Sequence, residues 1–218
     1  VTTAAAPDEY PDDLFLKHFV EPLNNNVVSY YLRRLNCHSI RLHSDQASAE
    51  LTKHLVEHHG YKRFAVMRGP LDSTEATSRF NAAMQVLSEY GLDKQAVVYQ
   101  LSWSSTEALE VSKQIFASNN LPEAIIFPND ESAIAALDYI NNFKPELINK
   151  IAVVGFDNSI NSKLITPQLT TAEHPHEKLA ADAIELLLNG NVNEPQHLMH
   201  QVPIIYRQSC GCEKPMEP

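Results

Sequence analysis

The stretch LPEAIIFPNDESAIAALDYI, residues 121–140, decides the fold. Its apolar run, AIIF, stops at Pro128, and Asn129 and Asp130 follow. Beyond them Ala133 and Leu137 lie four apart, with Ile140 three further on. That is the spacing of a buried helix face. A buried strand that ends on an amide and a carboxylate just before a helix has two readings. Either Asp130 caps the helix, or the strand delivers polar groups to a cleft.

Outward from this stretch the same unit recurs. FAVM (64–67), AVVYQL (96–101), IAVVGF (151–156) and VPIIY (202–206) are short apolar runs bounded by polar or turn residues. They predict strands buried on both faces. Ala47, Leu51 and Leu55 predict a helix between them, as do Leu179, Ala183 and Leu187, with Ile184 and Leu188 widening the second stripe. Asp72 with Glu75, after Gly69-Pro70, has the form of a capping box, and Pro175 suits the first turn of the helix carrying Leu179. Strand–helix alternation implies parallel sheets with right-handed crossovers and helices on both faces, an α/β fold. Ligands in such folds sit beyond the carboxyl ends of the strands. Asn129, Asp130 and Asp157 each follow a predicted strand directly.

Composition bounds the function. The 218 residues are 44% hydrophobic and 20% charged, as in a soluble globular chain long enough for one large domain or two lobes. No apolar run reaches the roughly 18 residues of a membrane helix. A net charge of -10 argues against a grip on nucleic acid, which needs clustered Lys and Arg; Arg33-Arg34 and Lys62-Arg63 are isolated pairs. The three cysteines, Cys37, Cys210 and Cys212, make no disulfide framework and suit a reducing, cytoplasmic compartment. No signal peptide is visible in the opening residues, and Met is not first.

Catalytic signatures are missing: there is no GxSxG, HExxH, GxxxxGK[ST] or GxGxxG. His54 and His58, four apart on a predicted helix, have a spacing that can bind zinc, but no third ligand is suggested nearby, and exposed histidines at a helix end are the expectation. Cys210-Gly-Cys212 is closer-spaced than the usual paired metal cysteines and reads as a segment leaving the last strand. No metal and no cofactor is therefore expected. Arg79 falls two turns into a helix whose apolar positions include Ala76, Phe80, Ala83 and Leu87. A guanidinium there suits a ligand's hydroxyls or carboxylate as well as it suits solvent. Trp103, the only tryptophan, is consistent with a stacking wall or with a core position.

The ordered segments HLVEHHGYKRFAVMRGPLDSTEATSRFNAAM, LSWSSTEA, LPEAIIFPNDESAIAAL, IAVVGFDNSINSKLITPQLTTAEHPHEKLAADAIELLLNG and YRQSCGC resemble the effector-binding region of the lac/gal repressor (LacI/GalR-type) family, which shares its fold with periplasmic sugar-binding proteins. The forms VEHHG…RGP and RQSCGC further resemble a subgroup whose sensor is fused to a GGDEF diguanylate cyclase or a histidine kinase. The resemblance implies two doubly wound parallel-sheet lobes of the type I periplasmic-binding-protein kind. It assigns residues 1–60 and 175–200 to an N-terminal lobe, 61–174 and 201–212 to a C-terminal lobe, and 213–218 to a tail or linker. It also implies that about half of the N-terminal lobe is absent, with VTTAAAP resembling a strand that follows the missing units.

The implied ligand residues are Arg79, Trp103, Asn129, Asp157 and His174, with Asp130 and Phe156 secondary. On this reading Asn129 faces the ligand while Asp130 caps the helix. Departures from the family pattern are His174 in place of a glutamine, His43, Ser44 and Ala47 in place of DNxxG, and Ala82-Ala83 in place of glycine-aromatic. The expected function is a non-enzymatic sensor of a small, carbohydrate-like effector in an interlobe cleft. Lobe closure would be read by a fused output such as a diguanylate cyclase, with the chain a homodimer that contacts neither nucleic acid nor membrane. The alternatives are the effector domain of a LacI-type DNA-binding repressor and a periplasmic transport receptor.

Overall fold

The structure, a computed structural model, describes residues 11–24, 26–31 and 37–213. The VTTAAAP segment, the Arg33-Arg34 pair and the tail beyond Glu213 lie outside the described residues. Along the chain the elements are α1 (Asp12–Phe15), β1 (Val28–Tyr30), β2 (His38–Leu42), α2 (Ser44–Lys53), β3 (Phe64–Arg68), α3 (Thr74–Glu89), β4 (Val97–Gln100), α4 (Ser105–Phe116), β5 (Ala124–Ile126), α5 (Asp130–Phe143), β6 (Ala152–Asp157), β7 (Thr170–Glu173), α6 (His176–Asn189), β8 (His197–His200) and β9 (Ile204–Ile205). A π-helical turn, His54–His58, extends α2.

Two compact units result. The first comprises residues 1–43, 72–75 and 175–202. Its described sheet has three parallel strands in the order β1-β2-β8. Helix α6 packs on β1 and β2, and the Tyr30 hydroxyl donates to the Leu179 carbonyl at 3.3 Å. The helix buries Leu179, Ala183 and Leu186. Ile184 and Leu188, expected on that stripe, are 55% and 75% exposed, so the buried face is narrower than the sequence suggests. Helix α6 starts at His176, which makes Pro175 the capping residue and not part of the first turn.

The second unit comprises residues 44–71, 76–174 and 203–218. Residues 44–60, which the resemblance assigns to the other lobe, fall here because α2 packs against β7 and β9. A six-stranded sheet runs β4-β3-β5-β6-β7-β9, all parallel except the antiparallel β7–β9 pair. Helices α4 and α5 cover one face, closing a core of Ala65, Met67, Ile125, Leu137, Ile140 and Val153. Strands β3, β5 and β6 are buried on both faces, as their unbroken apolar runs predict. Strand β4 is not: it is an edge strand, and Val97 and Val98 are 50% and 44% exposed. Helix α3 begins at Thr74, two residues past Asp72, so the register expected from Asp72 and Glu75 is not the one adopted.

Parallel order puts every carboxyl end of β3 to β7 on one edge. Register sets Arg68 beside Gln100 and Asp157 beside Glu173 along that edge.

Candidate functional site

The residues around Pro128 answer the question raised by the opening stretch, and they reverse the expected roles. Asn129, in extended backbone, is the N-cap of α5: its side-chain oxygen accepts from the Ser132 N–H at 3.1 Å. Short polar side chains at that position satisfy a helix donor that would otherwise be orphaned. The Asn129 side-chain nitrogen has no protein partner among the described residues, so the same side chain still offers a donor. Asp130 is not the cap. It is the first helical residue and fully buried, and its carboxylate accepts from Thr171 Oγ1 at 2.5 Å and from the Ser159 N–H at 2.7 Å. It ties α5 to β7 and to the loop after β6. Burial pushes its pKa up, while Thr171, Ser159 and the charge of Arg207 pull the other way.

Gly155 on β6 makes this approach possible. A Cβ there would lie 2.5 Å from Asp130 Oδ1, 3.0 Å from Leu169 Cδ2 and 3.2 Å from the Asp130 backbone. Gly155→Ala is expected to destabilise the second unit by roughly 1–3 kcal/mol through overpacking. Urea denaturation followed by Trp103 fluorescence would show this as a lower midpoint with an unchanged slope. An unchanged midpoint would mean that Asp130 shifts without cost.

Arg79 is 9% exposed, so it is not the solvated arginine its helix position allowed. Its Nη1 donates to the Pro128 carbonyl at 3.0 Å, and its guanidinium carbon lies 3.5 Å from the centroid of the Phe156 ring. Stacking on an aromatic face and a backbone carbonyl together fix the plane of the fork. Arg79, Phe80, Pro128 and Phe156 line one crevice of the second unit. Asp157 ends β6 with φ at 121°, and Asn158 follows at 51°. Non-glycine residues rarely adopt such backbone, and it tends to persist at binding sites. Burial raises the Asp157 pKa to about 7, with the Arg79 charge and the Asp130 backbone N–H pulling down and the neighbouring carboxylates Asp130 and Glu131 pushing up.

His174 follows β7, is buried, and donates its backbone N–H to the Asp157 carbonyl at 3.3 Å. Trp103 follows β4 and is 41% exposed, which excludes the core reading. Its ring edge would lie 3.5 Å from a Cβ at Gly69, whose neighbours include Pro128 and Ala76. All the expected residues therefore gather at the carboxyl edge of the sheet. Arg79, Phe156 and Asp157 form a contiguous group, Asn129 stands beside it at Pro128, and Trp103 forms a rim.

One element of this edge was missed in the sequence. Arg207, after β9, is 5% exposed. Its Nη1 donates to Ser162 Oγ at 3.0 Å and to the Leu169 carbonyl at 2.7 Å, and its Nη2 donates to Asn158 Oδ1 at 2.6 Å. Asn158 in turn donates to Glu173 Oε1 at 3.1 Å. This network holds the loop that carries Asp157. Arg207 lies in the quoted segment YRQSCGC, but nothing local marks its role, because the partners of its guanidinium lie 38 to 49 residues away.

A parallel sheet with polar groups collected at its carboxyl edge is the arrangement in which open α/β folds take small ligands. Residues 52–210 match the family described as periplasmic binding protein-like domain, and the chain belongs to that family. It is 28% identical over 158 residues to the ribose operon repressor of Bacillus subtilis, covering 72% of this chain and 48% of that protein. It is 29% identical over 156 residues to the HTH-type transcriptional repressor PurR of Pasteurella multocida, covering 71% and 46%. The chain thus spans about half the length of these relatives. A LacI family transcriptional regulator from Enterococcus faecium, solved with bound ribose, superposes with a TM-score of 0.78 at 16% identity, covering 94% of this chain and 76% of that one. That likeness establishes the type I periplasmic-binding-protein architecture. The narrower resemblance to sensors with a GGDEF or kinase output finds no support among these relatives, which are named as transcriptional regulators. No helix among the described residues is long and apolar enough to cross a membrane.

Proposed function

We propose that the chain is the effector-binding region of a LacI-type transcriptional regulator, and that the carboxyl edge of the second unit binds a polyhydroxylated, sugar-like molecule. The observation that carries this reading is the Arg79 guanidinium, buried and held flat on Phe156 in the crevice that Pro128 lines, with its charge acting on Asp157. An arginine fork donates to ring and hydroxyl oxygens, a carboxylate accepts from hydroxyls, and the Asn129 amide can donate. Exposed Trp103 offers the flat apolar surface against which the C–H face of a sugar stacks. His174 stands next to Asp157 where hydrogen bonding to a polar ligand is reasonable chemistry. Ribose in the superposing regulator and the naming of the Bacillus subtilis relative support a pentose as the first compound to try.

The activity is binding, not catalysis. Contact with DNA belongs to a part of the regulator other than these residues, given their net charge of -10. A homodimer and a cytoplasmic setting complete the reading, the latter supported by three cysteines of which none is in a disulfide.

The test is a thermal-shift series with pentoses, hexoses, sugar phosphates and nucleosides on the wild type and on Arg79→Ala. A compound at 100 times its dissociation constant adds about 2.7 kcal/mol, a rise of several degrees for a unit of this size. The expected result is a rise with one sugar class that disappears in Arg79→Ala. A rise that survives the substitution would place the ligand elsewhere and sink this reading.

A further inference from the structure

Four side chains in the second unit meet far along the chain from the sugar-site residues. His54, His59, Cys210 and Cys212 each turn one ligand atom inward, and these atoms all lie within 4.8 Å of one another. His54 Nε2 is 3.6 Å from Cys210 Sγ and 3.5 Å from Cys212 Sγ, while His59 Nε2 is 3.6 Å from Cys212 Sγ and 3.1 Å from His54 Nε2. We propose that this quartet is a structural divalent transition-metal site, with zinc as the cation its chemistry favours.

The distances carry the argument. A zinc ion bound at about 2.3 Å to sulfur and about 2.0–2.1 Å to nitrogen in a tetrahedron sets nitrogen and sulfur about 3.6 Å apart and two nitrogens about 3.3 Å apart. Four of the six spacings, 3.1 to 3.6 Å, are close to those of that tetrahedron, and the other two pairs lie within 4.8 Å, so a small shift of side chains closes the set. Two thiolates and two imidazoles are a closed ligand set of the structural kind, with no position left for substrate.

Local backbone explains why the site forms where the sequence argues against it. Helical spacing pairs His54 with His58. The turn over His54–His58 is π-helical, however, and its wider winding carries residue 59 round to the face of residue 54. His58 instead stacks on His54 from outside the quartet, with ring centroids 4.9 Å apart. The His-x4-His spacing that results is within the range zinc sites use. Cys-Gly-Cys is short for two ligands, but Gly211 sits at φ 104° after the turn Gln208–Cys210 and folds the chain so that both thiols face one way. A side chain there would also strike the Tyr61 hydroxyl at 2.5 Å, and that hydroxyl donates to the Cys210 carbonyl. Both cysteines are buried and none of the three in the chain is in a disulfide.

The bound cation would join the end of the helix after α2 to the segment that leaves β9, two parts of the chain more than 150 residues apart. Each metal taken up would release the two thiol protons.

The experiment titrates Co²⁺ into the reduced, metal-stripped 218-residue chain and follows the visible bands of tetrahedral cobalt and the near-ultraviolet thiolate-to-cobalt charge transfer. Zinc then displaces the cobalt. The expected result is saturation at one ion per chain, loss of the bands on adding zinc, and a higher unfolding temperature with zinc than with a chelator. Cys212→Ser and His59→Asn should each weaken binding by more than the 10–100-fold that loss of an outer-shell partner costs. His58→Ala should bind as the wild type does, which separates this quartet from the helical pair and from a general effect on folding. The proposal is overturned if reduced protein shows no tetrahedral cobalt spectrum. It is also overturned if His58→Ala, with native circular dichroism, loses binding while His59→Asn keeps it. Recovery of the chain without reductant as a Cys210–Cys212 disulfide, with no metal uptake after reduction, would replace the metal site with a redox pair.

Discussion

Arg207→Ala is expected to cost the second unit about 3–5 kcal/mol, the scale for removing one partner of a buried charged network. The guanidinium is 5% exposed and supplies three hydrogen bonds, to Ser162, to the Leu169 carbonyl and to Asn158. Alanine would take the side-chain donor from the buried Leu169 carbonyl and leave Asn158 Oδ1 with only the longer bond from Ser162 Oγ at 3.4 Å, and a buried orphan costs about 1–3 kcal/mol. It also removes the positive charge that offsets burial at Asp130. The Arg63–Glu123 pair provides the contrast. Its nitrogen–oxygen distance is 3.2 Å, but the two side chains are 51% and 31% exposed, and Glu123 keeps its bonds from the Lys62 and Arg63 backbone N–H groups in any variant. Arg63→Ala should therefore cost about 0–1 kcal/mol. Trp103 is the only tryptophan and lies in this unit, so urea denaturation followed by its fluorescence measures both variants on the same scale. Equal effects of the two substitutions would mean that Arg207 is solvated in solution and that the loop bearing Asp157 is held by something else.

Asp157→Asn should act in the opposite direction. At neutral pH and above, the variant is expected to be more stable than the wild type. An ordinary aspartate loses its proton near 3.8, whereas burial holds Asp157 near 7. Between those values the folded chain keeps a proton that the unfolded chain has released. Stability from this group is then greatest below about pH 4, falls as pH rises towards 7, and stays at its low value above. At about 1.4 kcal/mol per tenfold shift, the wild type gives up as much as about 4 kcal/mol above pH 7. The asparagine variant avoids that cost but leaves Arg79 without its counter-charge, so a net gain of roughly 1–3 kcal/mol is expected. Unfolding temperatures of the pair across pH 4–9 test this. The difference should be near zero at the acid end and grow to a plateau above pH 7. A difference independent of pH, or a variant less stable at pH 8, would show that Asp157 is ionised and well paired in the free protein. A buried ionisable group that destabilises its own fold is a common mark of a functional site.

Much of the second unit is legible without coordinates. Strands β3, β5 and β6 are unbroken apolar runs, and parallel order follows from their alternation with helices. From parallel order alone, Asn129 and Asp157 belong at one edge. Less was readable where the signal is weak or distant. Strands β1, β2, β7 and β8 carry polar residues such as Ser29, His38, Thr170, Thr171 and His197, and the apolar pattern passes over them. Val97 and Val98 look buried by type, yet an edge position exposes them.

By itself, then, the sequence determined the α/β class, the parallel sheet of the second unit and the edge at which polar side chains collect, because these follow from the period and order of apolar residues along the chain. Only the tertiary structure decided which side chain does what at that edge. Asn129 caps and Asp130 braces because Gly155 and Thr171, 25 or more residues away, leave room for one carboxylate and supply its donor. His59 rather than His58 joins the two cysteines because one helical turn widens. Those choices depend on distances of a few ångströms between segments remote in sequence, and no local pattern encodes them.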